Sequence, residues 1–403
     1  MATTKKRPAA GTERMTLPRG FRAAGLAAGI KKKGVKDMAL LVSDRPAAVA
    51  GTFTTNQVKA APVRLDMERL RGRVARAVIV NSGNANACNG PRGRRDAERT
   101  SAALARRLGV PAGQVFVCST GIIGVPLPVD TLLAGLPPLV DALDADGGES
   151  AAEAILTTDT RPKRWTVELA VDGRPVRLSG MCKGAGMIEP KMATMLAFLV
   201  TDARVSAAAL QRLLRAAVER SFNRITVDGD RSTNDTVLFF ANGAAGNRPL
   251  TPAHPDWPAF AAAVHDLCER LAKMIVRDGE GATRVATIRV RGARSAREAD
   301  LAARAVANSL LVKTAWAGKT ANWGRVMDAL GYSRARVVEE KVEIWFDELQ
   351  AVKDGRAGRA SRKDLEAVIA RPEFAVDIDL HLGRGEAIVH TCNCTEDYVR
   401  VNV

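Results

Sequence analysis

Apolar residues in this chain fall in many short runs, and their spacing predicts the elements. Ala39–Val42 and Ala47–Thr54 have strand length and are parted by Ser43, Asp44, Arg45 and Pro46, which predicts two strands around a turn. Ala77–Val80 predicts a further strand running into the Asn/Gly-rich loop NSGNANACNG, a sequence suited to tight turns and amide hydrogen bonds. From Arg94 to Leu108 apolar positions recur at helical spacing and stop at Gly109, a good C-terminal signal. Gln114–Cys118 reads as strand, Val129–Leu143 as a helix that must break at Pro137-Pro138, and Glu149–Leu156 as another helix. Trp165–Val171 and Pro175–Leu178 flank Asp172-Gly173, a strong hairpin signal. Met195–Val200 is wholly apolar and of strand length. Ser206 caps an amphipathic helix reaching about Val218, Ile225–Val227 and Thr236–Ala241 predict strands, and Trp257–Val276 predicts a helix.

From about Ala282 the pattern restarts as strand (Val285–Val290), helix (Ala296–Ala307) and strand (Leu310–Ala315). Val342–Phe346 and Ala375–Leu380 predict more strands, and the polar span Lys353–Lys363 between them a mobile loop. The mixture of helices and strands gives an α/β class. It divides into a basic tail at 1–14, a core at 15–281 and a C-terminal α/β lobe at 282–403.

Composition narrows the function classes. At 46% hydrophobic and 26% charged residues the chain is ordinary globular protein. No apolar run approaches the roughly 20 residues of a membrane helix, and the N-terminus has no secretory signature, so a cytoplasmic location and no membrane partner are expected. Six scattered cysteines show no paired framework and are expected to be reduced. His390, Cys392 and Cys394 alternate as a strand would, which explains them better than a metal site. The net charge of +16 is spread along the chain, and aromatics make up only 4% of it. That argues against nucleic acid and for attraction of anionic substrates.

The chemistry centres on Gly180–Ala203, GMCKGAGMIEPKMATMLAFLVTDA. Thr194 stands at the mouth of the apolar run, but a bare Thr is a weak nucleophile without a base. The histidines, His254, His265, His381 and His390, all lie far downstream. Cutting the bond after Ala193 would free an α-amino group on Thr194 to act as the base. On spacing alone, a loop feeding a core strand fits these residues better. In STGIIG, Gly121 lets backbone approach a ligand and point an N–H at a developing oxyanion, although a strand-end turn reads the same. Lys183, the loop residue Glu280 and the cap-like Thr160 also have ordinary surface or turn readings.

The run KGAGMIEPKMATMLAF resembles the self-cleavage signature of the ornithine acetyltransferases (glutamate N-acetyltransferases) of arginine biosynthesis. The likeness extends through GFRAAGLAAGIKKKG, FTTNQVKAAPV, VNSGNANAC, STGIIG, TTDTRPK, ITVDGDRSTNDT, VRDGEGATR, ANWGR and YVRVN, in one order along nearly the whole chain. The resemblance implies cleavage between Ala193 and Thr194, Thr194 as nucleophile, and Thr120 with Gly121 as the oxyanion hole. It matches Thr160, Lys183, Glu280 and Asn402, with Thr194 itself, to substrate contacts. It further implies a layered helix–sheet–sheet–helix core and an assembly of two copies of each fragment. The implied reaction moves acetyl from N-acetylornithine to glutamate by ping-pong kinetics, without metal or bound cofactor. Acetyl-CoA is compatible as a second donor, and no linear motif marks the choice. The alternative reading is an N-terminal-nucleophile aminopeptidase or amidase of related fold. Three features depart from the family pattern: Lys191 where Asn is common, Thr320-Ala321 where Asp-Pro is common, and a close at Val403 where relatives continue to a Thr or Ser. The first bears on cleavage rate and the last on substrate affinity.

Overall fold

The computed structural model describes residues 11–189 and 195–403. The chain divides into two compact units. One comprises Met1–Gly184, Pro190–Asn223 and Arg231–Ile275, apart from the residues outside the described part; the other comprises Ala185–Glu189, Arg224–Asp230 and Val276–Val403.

The first unit contains strands β1 (Gly11–Thr12), β2 (Phe21–Leu26), β3 (Met38–Phe53), β4 (Val74–Asn84), β5 (Val115–Ile122), β6 (Lys163–Val171), β7 (Arg174–Lys183), β8 (Leu196–Thr201) and β9 (Thr236–Ala241). Among the described residues they form one sheet in the order β1-β6-β7-β8-β9-β3-β4-β5, with β2 also on β3. The two predicted strands at Ala39 and Ala47 are a single strand of 16 residues. Its register shifts between Val42 and Ala47, so the polar stretch that looked like a turn is an irregularity within β3. Before the shift β3 pairs with β2 and β4; after it, Ala47 and Ala48 still pair with β4, while β9 takes the edge that β2 held.

This change of partner lets the sheet fold back on itself. Leu41, Val49, Val80, Phe116, Phe198 and Phe240 point into one shared apolar layer. Phe116 on β5 meets Phe240 on β9 edge-on, with centroids 6.3 Å apart, a geometry worth about 1 kcal/mol beyond its buried area. The alternate residues of the same strands, such as Leu40, Ile79 and Val117, pack outward against Leu104 and Leu136. Those leucines belong to α2 (Gly90–Leu108) and α3 (Val129–Asp141), which follow α1 (Ala61–Arg69). After α4 (Gly148–Ala154), the opposite outer face is covered by α5 (Ala207–Arg220) and α6 (Trp257–Arg277). Gln211 of α5 clasps the Gly51 backbone through both its amide atoms, at 3.1 and 2.9 Å. A Cβ on Gly180 would stand 2.9 Å from Leu271 of α6. The expected helix–sheet–sheet–helix layering is therefore present.

Contrary to expectation, α3 runs straight through Pro137 and Pro138. Leu132, Leu136 and Leu139 are buried at helical spacing and hold it in place despite the lost backbone bonds. Other signals hold as read. Asp172 and Gly173 turn the β6–β7 hairpin with φ of 51° and 69°, and Ser206 accepts from the Ala209 N–H as the α5 cap.

The second unit holds β10 (Val285–Ala293), β11 (Glu343–Phe346), β12 (Leu349–Lys353), β13 (Arg356–Ala357), β14 (Glu373–Asp379) and β15 (Gly385–Cys392), ordered β13-β12-β11-β14-β10-β15. Its helices are α7 (Ala296–Asn308), α8 (Leu310–Ala317), α9 (Trp323–Gly331), α10 (Arg362–Ile369) and α11 (Glu396–Val401). The predicted strand at Leu310 is the helix α8, because Ser309 accepts from the Val312 N–H and starts a helical turn. A short apolar run cannot distinguish the two states by itself. The span expected to be a mobile loop instead carries β13 paired to β12, and Ile225–Val227 reduces to one bridge, Ile225 to His390. No helix among the described residues is long and apolar enough to cross a membrane.

Candidate active site

Near the end of β5, Thr120 and Gly121 pair in parallel with Ser82 and Gly83 near the end of β4. Gly121 has φ +134°, and a Cβ there would stand 2.3 Å from the Gly83 carbonyl carbon. Only glycine fits this approach. Buried amides fix the surrounding turn. Asn81 accepts from the Ser119 hydroxyl at 2.6 Å and donates to the Asn84 carbonyl at 2.8 Å. Asn234 donates to the Ala85 and Ser119 carbonyls at 2.6 and 2.8 Å. The Asn/Gly loop is thus a hydrogen-bonded brace, with Asn86 and Cys88 at φ 47° and 60°.

Lys183 reaches the same place from the end of β7. Its side chain is 3% exposed, and its ammonium donates to the Thr157 hydroxyl at 2.6 Å and the Thr120 hydroxyl at 3.3 Å. A hydroxyl that accepts from an ammonium turns its own proton elsewhere, so Thr120 can donate to a third group. Beneath Lys183 lies Asp159, which accepts from Lys163 Nζ and the Gly184 N–H, both at 2.6 Å, and from the Thr157 N–H at 3.0 Å. Burial alone would raise this carboxyl, but Lys183 and Lys163 hold it well below the usual carboxylate range. Lys31 is half-buried nearby and donates to the Leu156 carbonyl at 2.6 Å. Desolvation, with Lys183 adding to it, lowers its ammonium against the pull of Asp37 and Asp159. Lys163, Lys183 and Lys31 thus gather about the Asp159 carboxylate, with the Asp37 carboxylate acting on Lys31 as well. Thr160 is exposed on the same segment.

Thr194, Ala193 and Lys191 lie outside the described residues. Met195, which follows, is buried; its N–H donates to Asp235 Oδ1 at 2.8 Å and its carbonyl accepts from the Thr236 N–H at 3.1 Å. Asp235 is itself fully buried, which raises its carboxyl well above the usual range.

Glu280 and Asn402, far apart in sequence, meet in the second unit: Asn402 Nδ2 donates to Glu280 Oε2 at 2.7 Å. Gly186 lies against the same carboxylate, where a Cβ would stand 2.2 Å from Oε2. The Glu280 N–H donates to the Ala185 carbonyl at 3.0 Å, so the GAG turn and the carboxylate hold each other. Sequence reading gave no role to Asp159, Lys163, Thr157 or Lys31, whose signal lay only in the polar, charged runs TTDTRPK and GIKKKG.

Among the described residues, one group of side chains has metal-ligand spacing, Asp172, His254 and Asp256. His254 Nδ1 accepts from the Asp256 N–H at 3.1 Å, which leaves the neutral ring's proton on Nε2, 3.1 Å from Asp172. The Asp172 N–H also donates to Asp256 Oδ2 at 2.9 Å, so the three residues tie the β6–β7 turn to the segment ahead of α6.

A model of the ArgJ family matches residues 22–403. The arginine biosynthesis bifunctional protein ArgJ of Geobacter sulfurreducens is 50% identical over 385 residues, spanning 95% of this chain and 98% of that protein. Its namesake from Symbiobacterium thermophilum is 49% identical over 390 residues, spanning 96% and 97%. Among solved structures, the ornithine acetyltransferase of Mycobacterium tuberculosis in complex with ornithine is 45% identical, with TM-score 0.42, covering 45% of this chain and 98% of the solved one.

Proposed function

This chain belongs to the ArgJ family, and from that premise we propose that it is a self-processing acetyltransferase of arginine biosynthesis. Its Thr194 hydroxyl attacks the Ala193 carbonyl, and water hydrolyses the resulting ester, leaving Met1–Ala193 and Thr194–Val403. The new α-amine then serves as general base for the Thr194 hydroxyl. N-acetylornithine acetylates that oxygen through a tetrahedral intermediate, ornithine leaves, and the α-amine of glutamate takes the acetyl group. The single observation that carries this reading is the Lys183 ammonium on the Thr120 hydroxyl, beside a Gly121 backbone that admits no side chain. Such a pair is what an oxyanion of acyl transfer requires. Lys183 and Thr160 are proposed as substrate contacts in the first unit, and Glu280 with Asn402 as contacts in the second, the carboxylate suiting a substrate ammonium.

The chemistry needs no metal or bound cofactor. The fragments are proposed to stay associated, two of each, in the cytoplasm. An aminopeptidase or amidase is not favoured, because the family match spans nearly the whole chain. Acetyl transfer from N-acetylornithine to glutamate tests the reading: formation of ornithine and N-acetylglutamate in equal amounts supports it, and release of acetate without glutamate sinks it. In the same assay acetyl-CoA as sole donor is expected to acetylate glutamate; no product would restrict the enzyme to the ornithine donor.

Gly186→Ala is expected to push the Glu280 carboxylate off its position, because the new Cβ cannot coexist with Oε2. Loss of one charge-assisted contact predicts a rise in substrate KM of about tenfold or more, with kcat less affected. Steady-state kinetics check this, and an unchanged KM would remove Glu280 from the substrate contacts.

A further inference from the structure

A buried lysine that helps form an oxyanion site needs something to hold its charge without capturing it. If Lys183 met a carboxylate alone, the strongest available bond would draw its ammonium away from Thr120. The cluster at the start of β6 avoids this. The short bonds of Asp159 Oδ1 go to Lys163 and to the Gly184 N–H, both at 2.6 Å. Its other oxygen, Oδ2, accepts the Thr157 N–H at 3.0 Å and stands 3.8 Å from the Lys183 ammonium, beyond hydrogen-bond range. Lys183 feels the carboxylate's charge and donates to the hydroxyls of Thr157 and Thr120, at 2.6 and 3.3 Å. The side chains of Lys163 and Asp159 are 1% and 0% exposed, so solvent screens little of this. Lys163 thus holds the Asp159 oxygen that faces away from the Lys183 ammonium.

We propose that Asp159, shared between Lys163 and Lys183, is a positioning residue that, with Thr157, holds the Lys183 ammonium on Thr120 and so aims the Thr120 proton at the reacting oxygen. The cradle also fixes the backbone on both sides, because Asp159 accepts the Gly184 N–H directly after Lys183 and the Thr157 N–H ahead of itself. Its effect passes through Thr120, and it rests on the oxyanion reading above.

The test compares the processed wild-type enzyme with the pair variant Asp159→Asn/Lys163→Met, which removes both partners and leaves no unpaired charge at those two positions. Each is assayed alone and in a Thr120→Ala background, after intact mass confirms equal processing. The pair variant is expected to lower kcat about tenfold or more, and to cost little further in the Thr120→Ala background, because the route through the hydroxyl is already gone. Thr157→Val, a substitution of nearly equal volume, is expected to show the same dependence on Thr120 and carries the test if the pair variant does not fold. An unchanged kcat, or losses that multiply fully across the two backgrounds, would overturn the proposal and leave Asp159 a structural ion pair. If Thr120→Ala itself keeps the wild-type rate, it is the oxyanion reading that fails; if only the cradle variants keep it, the cradle fails alone.

Discussion

A chain carrying Thr194→Ala is expected to remain one uncut polypeptide with no transferase activity above background. Both losses follow from one atom. The hydroxyl that attacks the Ala193 carbonyl in processing is the one proposed to carry acetyl in turnover, and without cleavage there is no α-amine to act as its base. Removing the nucleophile from an acyl-transfer site costs on the order of a millionfold in kcat, so no partial activity is expected. Thr194→Ser keeps a hydroxyl and should retain some of both activities. The measurement is a denaturing gel alongside the acetyl-transfer assay. A variant that is cut, or that is uncut and active, would remove Thr194 from both roles. Thr194 lies outside the described residues, so this expectation rests on the sequence and on the anchored Met195 that follows it.

Thr120→Ala is expected to fold and to lose about a hundred- to a thousandfold in kcat, the usual cost of one oxyanion donor. The turn should survive, because its brace is made by Asn81, Ser119 and Asn234 rather than by the Thr120 hydroxyl. Thr120→Ser should keep most of the rate. Gly121→Ala is a different kind of change. At φ +134°, with the Gly83 backbone 2.3 Å from any Cβ, it must distort the turn itself and should lower stability as well as rate. A thermal melt beside the kinetics separates the two, and a Thr120→Ala enzyme with wild-type kcat would contradict the oxyanion assignment.

The sequence shows where strands and helices lie more clearly than how they join. The β6–β7 hairpin is legible because Asp172-Gly173 permits the left-handed turn it adopts. The continuity of β3 is not, since Ser43–Pro46 looks the same whether it turns or only shifts register. Leu310–Ala315 reads as strand because six residues cannot establish a period, and the outcome hangs on the cap at Ser309. The site divides in the same way. Resemblance picks out Thr120, Gly121, Thr160, Lys183, Glu280 and Asn402, of which Lys183 donates to Thr120 and Asn402 to Glu280. Asp159 and Lys163 are invisible by comparison, because a charged residue in a polar run is expected in solvent. Only the fold brings β6 and β7 together with the segment before them, and so puts Asp159 and Lys163 under the end of Lys183.

The most direct test of the account is the intact mass of the purified wild-type protein under denaturing conditions. The account predicts two fragments of comparable mass, Met1–Ala193 and Thr194–Val403, the second beginning with an unmodified Thr194 amine. A single species of 42.9 kDa, or a cut at any other bond, would contradict it, because the proposed nucleophile would then lack the amine on which its reactivity depends.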